Sequence, residues 1–327
     1  MSDKILEVKD LTIQYKTDLE VVEAVNHLSF SIRENETLGL VGETGAGKTT
    51  TALGIMRIIP TPPGKICSGE ILFHGEDLLK KNERAMRDIR GGQISMIFQD
   101  PMTALNPVLT IGEQITEVVR LHGKLSRKDA EHRAVSMLEM VGISRDRFHE
   151  YPHQFSGGMK QRVVIAIAIA CSPKLLIADE PTTALDVTIQ FQVLQLIARL
   201  KEKLRTSMLL ITHDLGVVAE VCDRVAIMYA GEIIEIGSIQ EIFKNALHPY
   251  TVGLFRSIPD LDHDQERLEV IEGQVPDPSN LPKGCKFYPR CKQRRPECEN
   301  NAFQLVDVAE DHKVRCIHCG SPKEEQV

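Results

Sequence analysis

A loop at Gly42 to Thr50, GETGAGKTT, has the glycine spacing of a segment that binds a phosphate chain. It fits the pattern G-x4-G-K-(S/T), in which glycines let backbone N–H groups surround phosphate oxygens and the following helix adds its positive end. Lys48 can then reach the β- and γ-phosphates, and the Thr49 hydroxyl can ligate Mg²⁺. The alternative is a glycine-rich turn with a solvated lysine, but a predicted strand before the loop and a predicted helix after it favour the phosphate site. The predicted contacts are Gly42, Glu43, Thr44, Gly45, Ala46, Gly47, Lys48, Thr49 and Thr50.

Two carboxylates, Asp179 and Glu180, follow the apolar run Leu175–Ala178. Ligand sites in open α/β sheets lie at the carboxyl ends of strands, so both side chains are candidates for the same site. Asp179 is suited to hold Mg²⁺ through a water molecule, and Glu180 to polarise an attacking water. A surface Asp-Glu pair at a strand end is the plainer alternative, because such pairs are common.

A second candidate anion site lies at Phe155–Met159, FSGGM, before a long helix predicted to start near Lys160. The Ser156 hydroxyl and the N–H groups of Gly157 and Gly158 would form a nest at that helix start. Two phosphate nests in one chain could serve one nucleotide only if two chains pair head to tail.

The pattern of apolar residues predicts the elements that position these groups. Strands are expected at Ile5–Tyr15, Thr37–Val41, Gln93–Phe98, Leu175–Ala178, Met208–Thr212 and Val225–Tyr229. Helices are expected at Thr49–Ile59, within Ile111–Val141, near Lys160, at Val187–Leu204 and from Ser238. Short apolar strands that alternate with helices predict an α/β core with a parallel sheet covered on both faces.

Composition excludes several classes of protein. A net charge of −7 argues against a nucleic-acid partner, because phosphate backbones need clustered Lys and Arg. The opening MSDKILEVKD lacks the apolar stretch of a signal peptide. The longest apolar run, Val163–Cys171, is far shorter than the roughly 20 residues of a membrane-spanning helix. We therefore expect a soluble chain whose membrane role, if any, goes through a partner.

Cysteines crowd into the C-terminal segment, which follows a Pro-rich, acidic stretch at Pro259–Pro282 that we interpret as a linker or an extended arm. In a chain without an export signal, such a cluster indicates metal ligands before disulfides. The cluster comprises Cys285, Cys291, Cys298, Cys316 and Cys319. Only Cys316 and Cys319 have the tight spacing of structural zinc sites, whereas four thiolates at wider spacing suit an iron–sulfur cluster.

Taken together, these motifs resemble the ATP-binding-cassette ATPases. The matching features, in that family's order, are Tyr15, the loop at Gly42, Gln99, FSGGM at Phe155, LLIADE at Leu175, ALD at Ala184–Asp186, and His213. The resemblance covers about residues 5–237. It implies a P-loop NTPase (RecA-like) α/β core with an antiparallel β subdomain, a helical subdomain at about 100–172, and ATP with Mg²⁺ as ligands.

The resemblance also implies a role for each matching residue. Glu180, His213 and Gln99 would be catalytic, with His213 on the γ-phosphate and Gln99 sensing Mg²⁺ and the attacking water beside the permease-facing surface. Tyr15 would stack on the adenine. The implied Mg²⁺ contacts are Thr49, Gln99 and Asp179.

Residues of the second nest would act across a subunit contact. By the same resemblance, Ser156, Gly157 and Gly158 would reach the nucleotide held by the opposite subunit, and Asp186 would lie at that contact. The family's usual signature ends in Gln where this chain has Met159, but the phosphate-facing serine and glycines are present.

A narrower resemblance is to the ATPase subunits of dipeptide and oligopeptide permeases. It rests on FSGGMKQRVVIAIAIA from Phe155, on His248–Thr251, and on GCKFYPRC at Gly284–Cys291. It implies a cassette at 1–258 and a C-terminal extension at 259–327, at the cytoplasmic face of the cell membrane. The implied partners are two transmembrane permeases, a second ATPase subunit (identical or paralogous) and, indirectly, an extracytoplasmic peptide-binding protein. Nickel and glutathione importers use close relatives, and a soluble non-transport cassette protein is the alternative from another class.

Some members of this subfamily carry a 4Fe-4S cluster in the C-terminal extension. The positions matching their pattern are Cys285, Cys291, Cys298 and Cys316, and Cys319 is not part of it. A zinc site, or free cysteines in a small core, are the alternatives. A structural use of the cluster is the favoured expectation, and redox regulation of the ATPase is the other.

Overall fold

The computed structural model describes residues 4–123, 125–183, 185–257 and 270–319. The strands are β1 (Lys4–Lys16), β2 (Val21–Arg33), β3 (Thr37–Val41), β4 (Gly64–Phe73), β5 (Glu76–Asp77), β6 (Ile94–Ile97), β7 (Leu175–Asp179), β8 (Ser207–Thr212), β9 (Arg224–Tyr229), β10 (Glu232–Ser238), β11 (Val306–Ala309) and β12 (His312–Val314). The helices are α1 (Lys48–Met56), α2 (Glu83–Ile89), α3 (Pro101–Ala104), α4 (Ile111–Gly123), α5 (Arg127–Met140), α6 (Gly157–Ile169), α7 (Val187–Leu204), α8 (Leu215–Val221), α9 (Ile239–Lys244), α10 (Pro249–Arg256) and α11 (Glu297–Asn300).

The chain forms two compact units, each assembled from several segments. The first unit takes in residues 1–7, 31–37 and 72–212, and the second takes in 8–30, 38–71 and 213–327. These units therefore interleave along the sequence. The boundary predicted at 258/259 lies in 258–269, outside the described residues, and stays a prediction.

The first unit is built on three parallel strands, β6, β7 and β8. Their register aligns Ile97 with Ala178 and Asp179 with Ile211, so the carboxyl ends of the strands lie at one edge. All residues of the three strands are buried, which is typical of parallel sheets covered on both faces. Helices α4 and α5 pack on each other and on α6 within this unit, and the helical subdomain at about 100–172 stays a prediction.

In the second unit, β3 runs parallel to β9, and β10 pairs antiparallel with β9. The C-terminal hairpin of β11 and β12 continues this sheet, because β12 pairs antiparallel with β10 through Glu235 and Val314. A separate cysteine-rich extension is therefore not confirmed: in the described residues, the C-terminal segment shares a sheet with β10. Phe287 of the same segment is buried with Tyr229 and Tyr250 in the core of this unit.

Most predicted elements are confirmed, with ends that differ by at most three residues. The helix predicted to run to Ile59 ends at Met56, because Arg57 adopts a left-handed conformation (φ 52°) that ends α1. Helix α7 has the predicted bounds, α9 starts after Ser238 as predicted, and the side chains of Ser126 and Ser238 cap α5 and α9. Strands β2, β4, β5, β10, β11 and β12 had not been predicted. None of the described helices is both long enough and apolar enough to cross a membrane.

Candidate functional site

The predicted phosphate loop joins β3 to the first turn of α1. Lys48 is 6% exposed, and its ammonium group donates to the carbonyl oxygens of Gly42 (2.7 Å) and Glu43 (3.0 Å). Thr49, which follows it, is exposed at the helix start. The loop therefore presents a helix N-terminus, an ammonium group and a hydroxyl together, the set that binds a phosphate chain with Mg²⁺.

Two glycines of this loop are required by neighbouring backbone. Gly47 has φ 98°, and a Cβ atom there would lie 2.2 Å from the carbonyl oxygen of Ala24. A Cβ atom on Gly42 would lie 2.2 Å from the carbonyl oxygen of Met228. Because real Cβ atoms never come so close to backbone oxygen, any side chain at either position would force the loop to move.

Glu43 is held by two residues that lie more than 200 positions downstream. Its backbone N–H donates to the Tyr250 hydroxyl (3.2 Å), and its carboxylate accepts from Nη1 of Arg290 at 3.0 and 3.1 Å. Burial raises the pKa of Tyr250, so this hydroxyl stays protonated. Neither support was predicted from the sequence, because no local pattern links these positions to the loop.

Tyr15 and His213, both predicted to touch the nucleotide, belong to the same unit as the phosphate loop. Tyr15 is half-buried near the end of β1, with its ring beside Gly64 of β4. His213 follows β8 directly and is exposed. Their contacts with adenine and γ-phosphate stay predictions.

The two carboxylates lie at the carboxyl end of β7 with different environments. Asp179 is 1% exposed, whereas Glu180 is half-buried and has a left-handed backbone (φ 45°). The carboxylate of Glu180 accepts from the amide of Gln99 and from the hydroxyl of Thr183, both at 2.9 Å. Strained backbone at a non-glycine residue is typical of functional sites, because the surrounding structure must impose it. The structure thus brings Gln99, Glu180 and Thr183 together at the end of β7.

The second predicted nest lies at the start of α6. Helix α6 begins at Gly157, and the Ser156 hydroxyl caps it by accepting from the Met159 N–H (3.4 Å). Ser156 and Gly157 are exposed, and Gly158 is half-buried. Exposed N–H groups at the start of a helix of this length can receive an anion.

Arg147 supports this segment and was not singled out from the sequence. Its guanidinium lies 4.3 Å from the ring centroid of Phe155 and donates to the Gln154 carbonyl (3.0 Å). It also contacts the Met159 sulfur at 3.2 Å. The methionine that replaces the family's usual glutamine therefore has a role in packing.

Asp186, predicted at a subunit contact, caps α7 within its own chain. Its carboxylate accepts from the Ile189 N–H at 3.0 Å, and the residue is exposed. A residue that caps a helix and is exposed has a sufficient local role, and its intersubunit role stays a prediction. Ala184, also in this motif, lies outside the described residues.

Four cysteines of the C-terminal segment line one cavity. These are Cys285, Cys291, Cys298 and Cys316. Burial raises the pKa of the Cys285 thiol to about 11, so a bound cation would be needed to ionise it. In the described part of the chain, however, no group of three or more His, Cys, Asp or Glu is arranged to hold a metal ion. The side chain of Cys319 lies outside the described residues.

A phosphate loop, a strand-end Asp-Glu pair and a serine-glycine helix start are each motifs of an ATP-binding cassette. The model of the ABC transporter family matches residues 25–183. Curated relatives match nearly the whole chain at about half identity, so the chain belongs to the ABC transporter family.

Among these relatives is the oligopeptide transport ATP-binding protein AppD of Bacillus subtilis, 51% identical over 96% of both chains. The oligopeptide transport ATP-binding protein OppD of the same species is 50% identical over 98% of this chain and 91% of its own. The family model for the C-terminal region of oligopeptide/dipeptide transporters matches residues 234–298. The two relatives and this family model confirm the resemblance to the ATPase subunits of dipeptide and oligopeptide permeases.

Solved structures confirm the cassette fold. The ATP-binding cassette MJ0796, in a dimeric post-hydrolysis state bound to ADP and Pi, superposes with a TM-score of 0.64. It is 28% identical in sequence, and the match covers 72% of this chain and 98% of that one.

Proposed function

We propose that this chain is the ATP-hydrolysing subunit of an importer for dipeptides or oligopeptides. The observation that carries the ATPase role is the hydrogen-bonded pair of Gln99 and Glu180 at the end of β7, in a chain with a complete phosphate loop. The peptide substrate is supported by relatives that are named as oligopeptide and dipeptide transport proteins, and by the match of the C-terminal region.

In this function, Lys48 and the loop N–H groups bind the phosphates of ATP. Thr49, Gln99 and Asp179 would hold Mg²⁺, which neutralises charge on the phosphates. Glu180 polarises the attacking water, since its carboxylate is held by donors that fix its direction without removing its charge. His213 would contact the γ-phosphate, and Tyr15 would stack on the adenine.

The working unit would be a pair of cassettes bound to two transmembrane permeases at the cytoplasmic face of the membrane. Ser156, Gly157 and Gly158 would then bind the nucleotide held by the second cassette, with Asp186 at the contact. The dimeric state of the similar cassette MJ0796 supports this arrangement. The second cassette would be an identical or paralogous chain, and an extracytoplasmic peptide-binding protein would deliver the substrate.

Replacing Glu180 by Gln tests the ATPase assignment. We expect Glu180→Gln to bind ATP as tightly as the native chain and to hydrolyse it roughly 10²- to 10⁴-fold more slowly, the usual contribution of a base. The control is Glu202→Gln on the exposed face of α7, which should leave both quantities unchanged. Undiminished hydrolysis in Glu180→Gln would remove this residue from the role of base.

Uptake measurements test the substrate class. The chain would be reconstituted in proteoliposomes with the permeases and the second ATPase subunit encoded beside it, with ATP inside the vesicles and the peptide-binding protein outside. ATP-dependent uptake of labelled dipeptides or oligopeptides, but not of nickel or glutathione, is the expected result. Transport of nickel alone would replace the peptide assignment and leave the ATPase assignment intact.

We also propose that the thiols of Cys285, Cys291, Cys298 and Cys316 hold a 4Fe-4S cluster, with Zn²⁺ as the competing ligand. Although these thiols are not grouped as metal ligands in the described residues, they line a common cavity, and four thiols are the donor set that such clusters use. Protein purified without oxygen should be brown and contain iron with acid-labile sulfide. Stoichiometric zinc without iron would overturn it.

A further inference from the structure

One arginine of the C-terminal segment reaches the phosphate loop. Arg290 donates from Nη1 to both carboxylate oxygens of Glu43, at 3.1 and 3.0 Å, and to the Tyr229 hydroxyl at 3.3 Å. Its side chain is only 6% exposed, so the ion pair is shielded from water on the arginine side. Shielded pairs of this kind are coupled much more strongly than ion pairs on an open surface.

The remaining donors of this guanidinium fix its direction. Nε donates to the carbonyl oxygen of Glu272 (3.1 Å), and Nη2 donates to that of Ile271 (3.2 Å). Every guanidinium nitrogen of Arg290 is therefore engaged. Because the guanidinium is rigid and planar, this set of contacts permits one orientation toward Glu43, which a lysine could not reproduce.

Glu43 in turn governs the position of the phosphate-binding lysine. The Lys48 ammonium donates to the Glu43 carbonyl at 3.0 Å, while the Glu43 N–H donates to the Tyr250 hydroxyl at 3.2 Å. Glu43 is thus held through its side chain by Arg290 and through its backbone by Tyr250. A shift of Glu43 would move a carbonyl that Lys48 contacts, and with it the loop that must surround the phosphates.

The arginine also lies between two of the candidate cluster ligands. It ends a 3₁₀ turn, Tyr288–Arg290, that separates Cys285 from Cys291. Phe287, just before the turn, packs against the rings of Tyr229 and Tyr250 with centroids 5.3 and 5.4 Å apart. The turn is therefore anchored in the same core that carries the second support of Glu43.

We propose that Arg290 is a positioning residue for nucleotide binding, through which the C-terminal segment sets the geometry of the phosphate loop. It does not touch the reacting atoms, and it acts on ATP affinity through Glu43 and Lys48. The inference deepens the proposed ATPase function and depends on it only where turnover is the readout. It holds whether the neighbouring thiols carry iron, zinc or nothing.

The test is a double-mutant cycle of Arg290→Gln, Glu43→Gln and the double variant in the full-length chain. Binding is measured by titration with a fluorescent ATP analogue, and turnover by steady-state phosphate release. We expect Arg290→Gln to raise Kd and KM for ATP by roughly tenfold while kcat stays within about twofold. The double variant should be no weaker than the worse single variant, because both changes break one pair.

Arg295→Gln is the matched control, because Arg295 lies in the same segment with an exposed side chain. It should leave Kd, KM and kcat unchanged. Arg290→Lys should not restore ATP affinity to the native value, since an ammonium cannot serve Glu43 and both carbonyl oxygens together.

Several outcomes would overturn the proposal. A lower melting temperature in Arg290→Gln with native ATP affinity would make this residue a structural support only. If the two single changes have additive effects on ATP affinity, Arg290 does not act through its ion pair with Glu43. If Arg290→Gln fails to fold, unchanged affinity in Glu43→Gln overturns the proposal as well. A native chain that binds the analogue but hydrolyses no ATP would instead contradict the proposed function, and the binding cycle would still decide the role of Arg290.

Discussion

Helices α1 and α6 both begin at glycine-rich segments with predicted phosphate-binding N–H groups, yet the two segments are supported in different ways. The start of α6 is capped by its own Ser156, and Arg147, nine residues upstream, packs on Phe155. The start of α1 has no side-chain cap. Its loop is held by Tyr250 and Arg290, from distant parts of the sequence.

This difference determines what a substitution would reveal. At α6, one serine has two duties, as a helix cap and as the proposed phosphate contact. At α1, the phosphate contacts and the residues that hold them are separate, so each can be altered alone. The two helix starts therefore call for different experiments.

The largest expected effect is the difference in stability loss between a glycine substitution at the start of α1 and one at the start of α6. Gly47→Ala should lower the free energy of unfolding by about 3 kcal/mol, because φ is 98° and the new Cβ would meet the Ala24 carbonyl. Gly157→Ala should change it by less than about 0.5 kcal/mol, because its Cβ would lie 3.9 Å from Leu185. Urea unfolding of both variants measures the difference, and equal losses would contradict it.

A smaller effect distinguishes the two roles of Ser156, as a helix cap and as a proposed phosphate contact. Ser156→Asp keeps a side chain that caps helices well, so stability should change by less than about 0.5 kcal/mol. ATPase activity should nevertheless fall roughly 100-fold, because a carboxylate would face the phosphates. Ser156→Ala should cost about 1 kcal/mol of stability through loss of the cap. Native ATPase activity in Ser156→Asp would reduce Ser156 to a helix cap.

The smallest expected effect comes from removing a single tyrosine hydroxyl group near each helix start. Tyr250→Phe removes the acceptor of the Glu43 N–H in a fully buried position, and should cost about 1 kcal/mol of stability. ATP affinity should weaken with it. Tyr151→Phe, five residues before the Ser156 cap of α6, changes an exposed ring and should leave stability and ATPase activity unchanged. Thermal unfolding with and without ATP distinguishes the two variants, and an unaffected Tyr250→Phe would weaken the case for remote support of the loop.

The sequence predicted most of what lies close together along the chain. Loop residues, strand-end carboxylates and helix caps such as Ser126 and Ser238 follow from local rules, because their partners are only a few positions away. Strands β4 and β10 escaped prediction, since their alternation of apolar and polar residues is irregular. Strand β2 was missed although His27–Arg33 alternates regularly, and β5, β11 and β12 are too short to show a period. The supports of Glu43 escaped it as well, because a hydrogen bond across 247 positions leaves no periodic trace. Resemblance to a known family, rather than spacing, provided the roles of Tyr15, Gln99 and His213.

The C-terminal hairpin has a consequence for the behaviour of the chain in concentrated solution. By pairing with β10, β12 occupies the backbone hydrogen-bonding groups of a strand, EIIEIGS, that carries three isoleucines and is mostly buried. The outermost strand becomes β11, which has four residues and carries Asp307 beside Lys313. Short, charged edge strands resist pairing with other chains. The hairpin thus replaces an aggregation-prone edge with one that discourages self-association, and a chain lacking it should precipitate more readily.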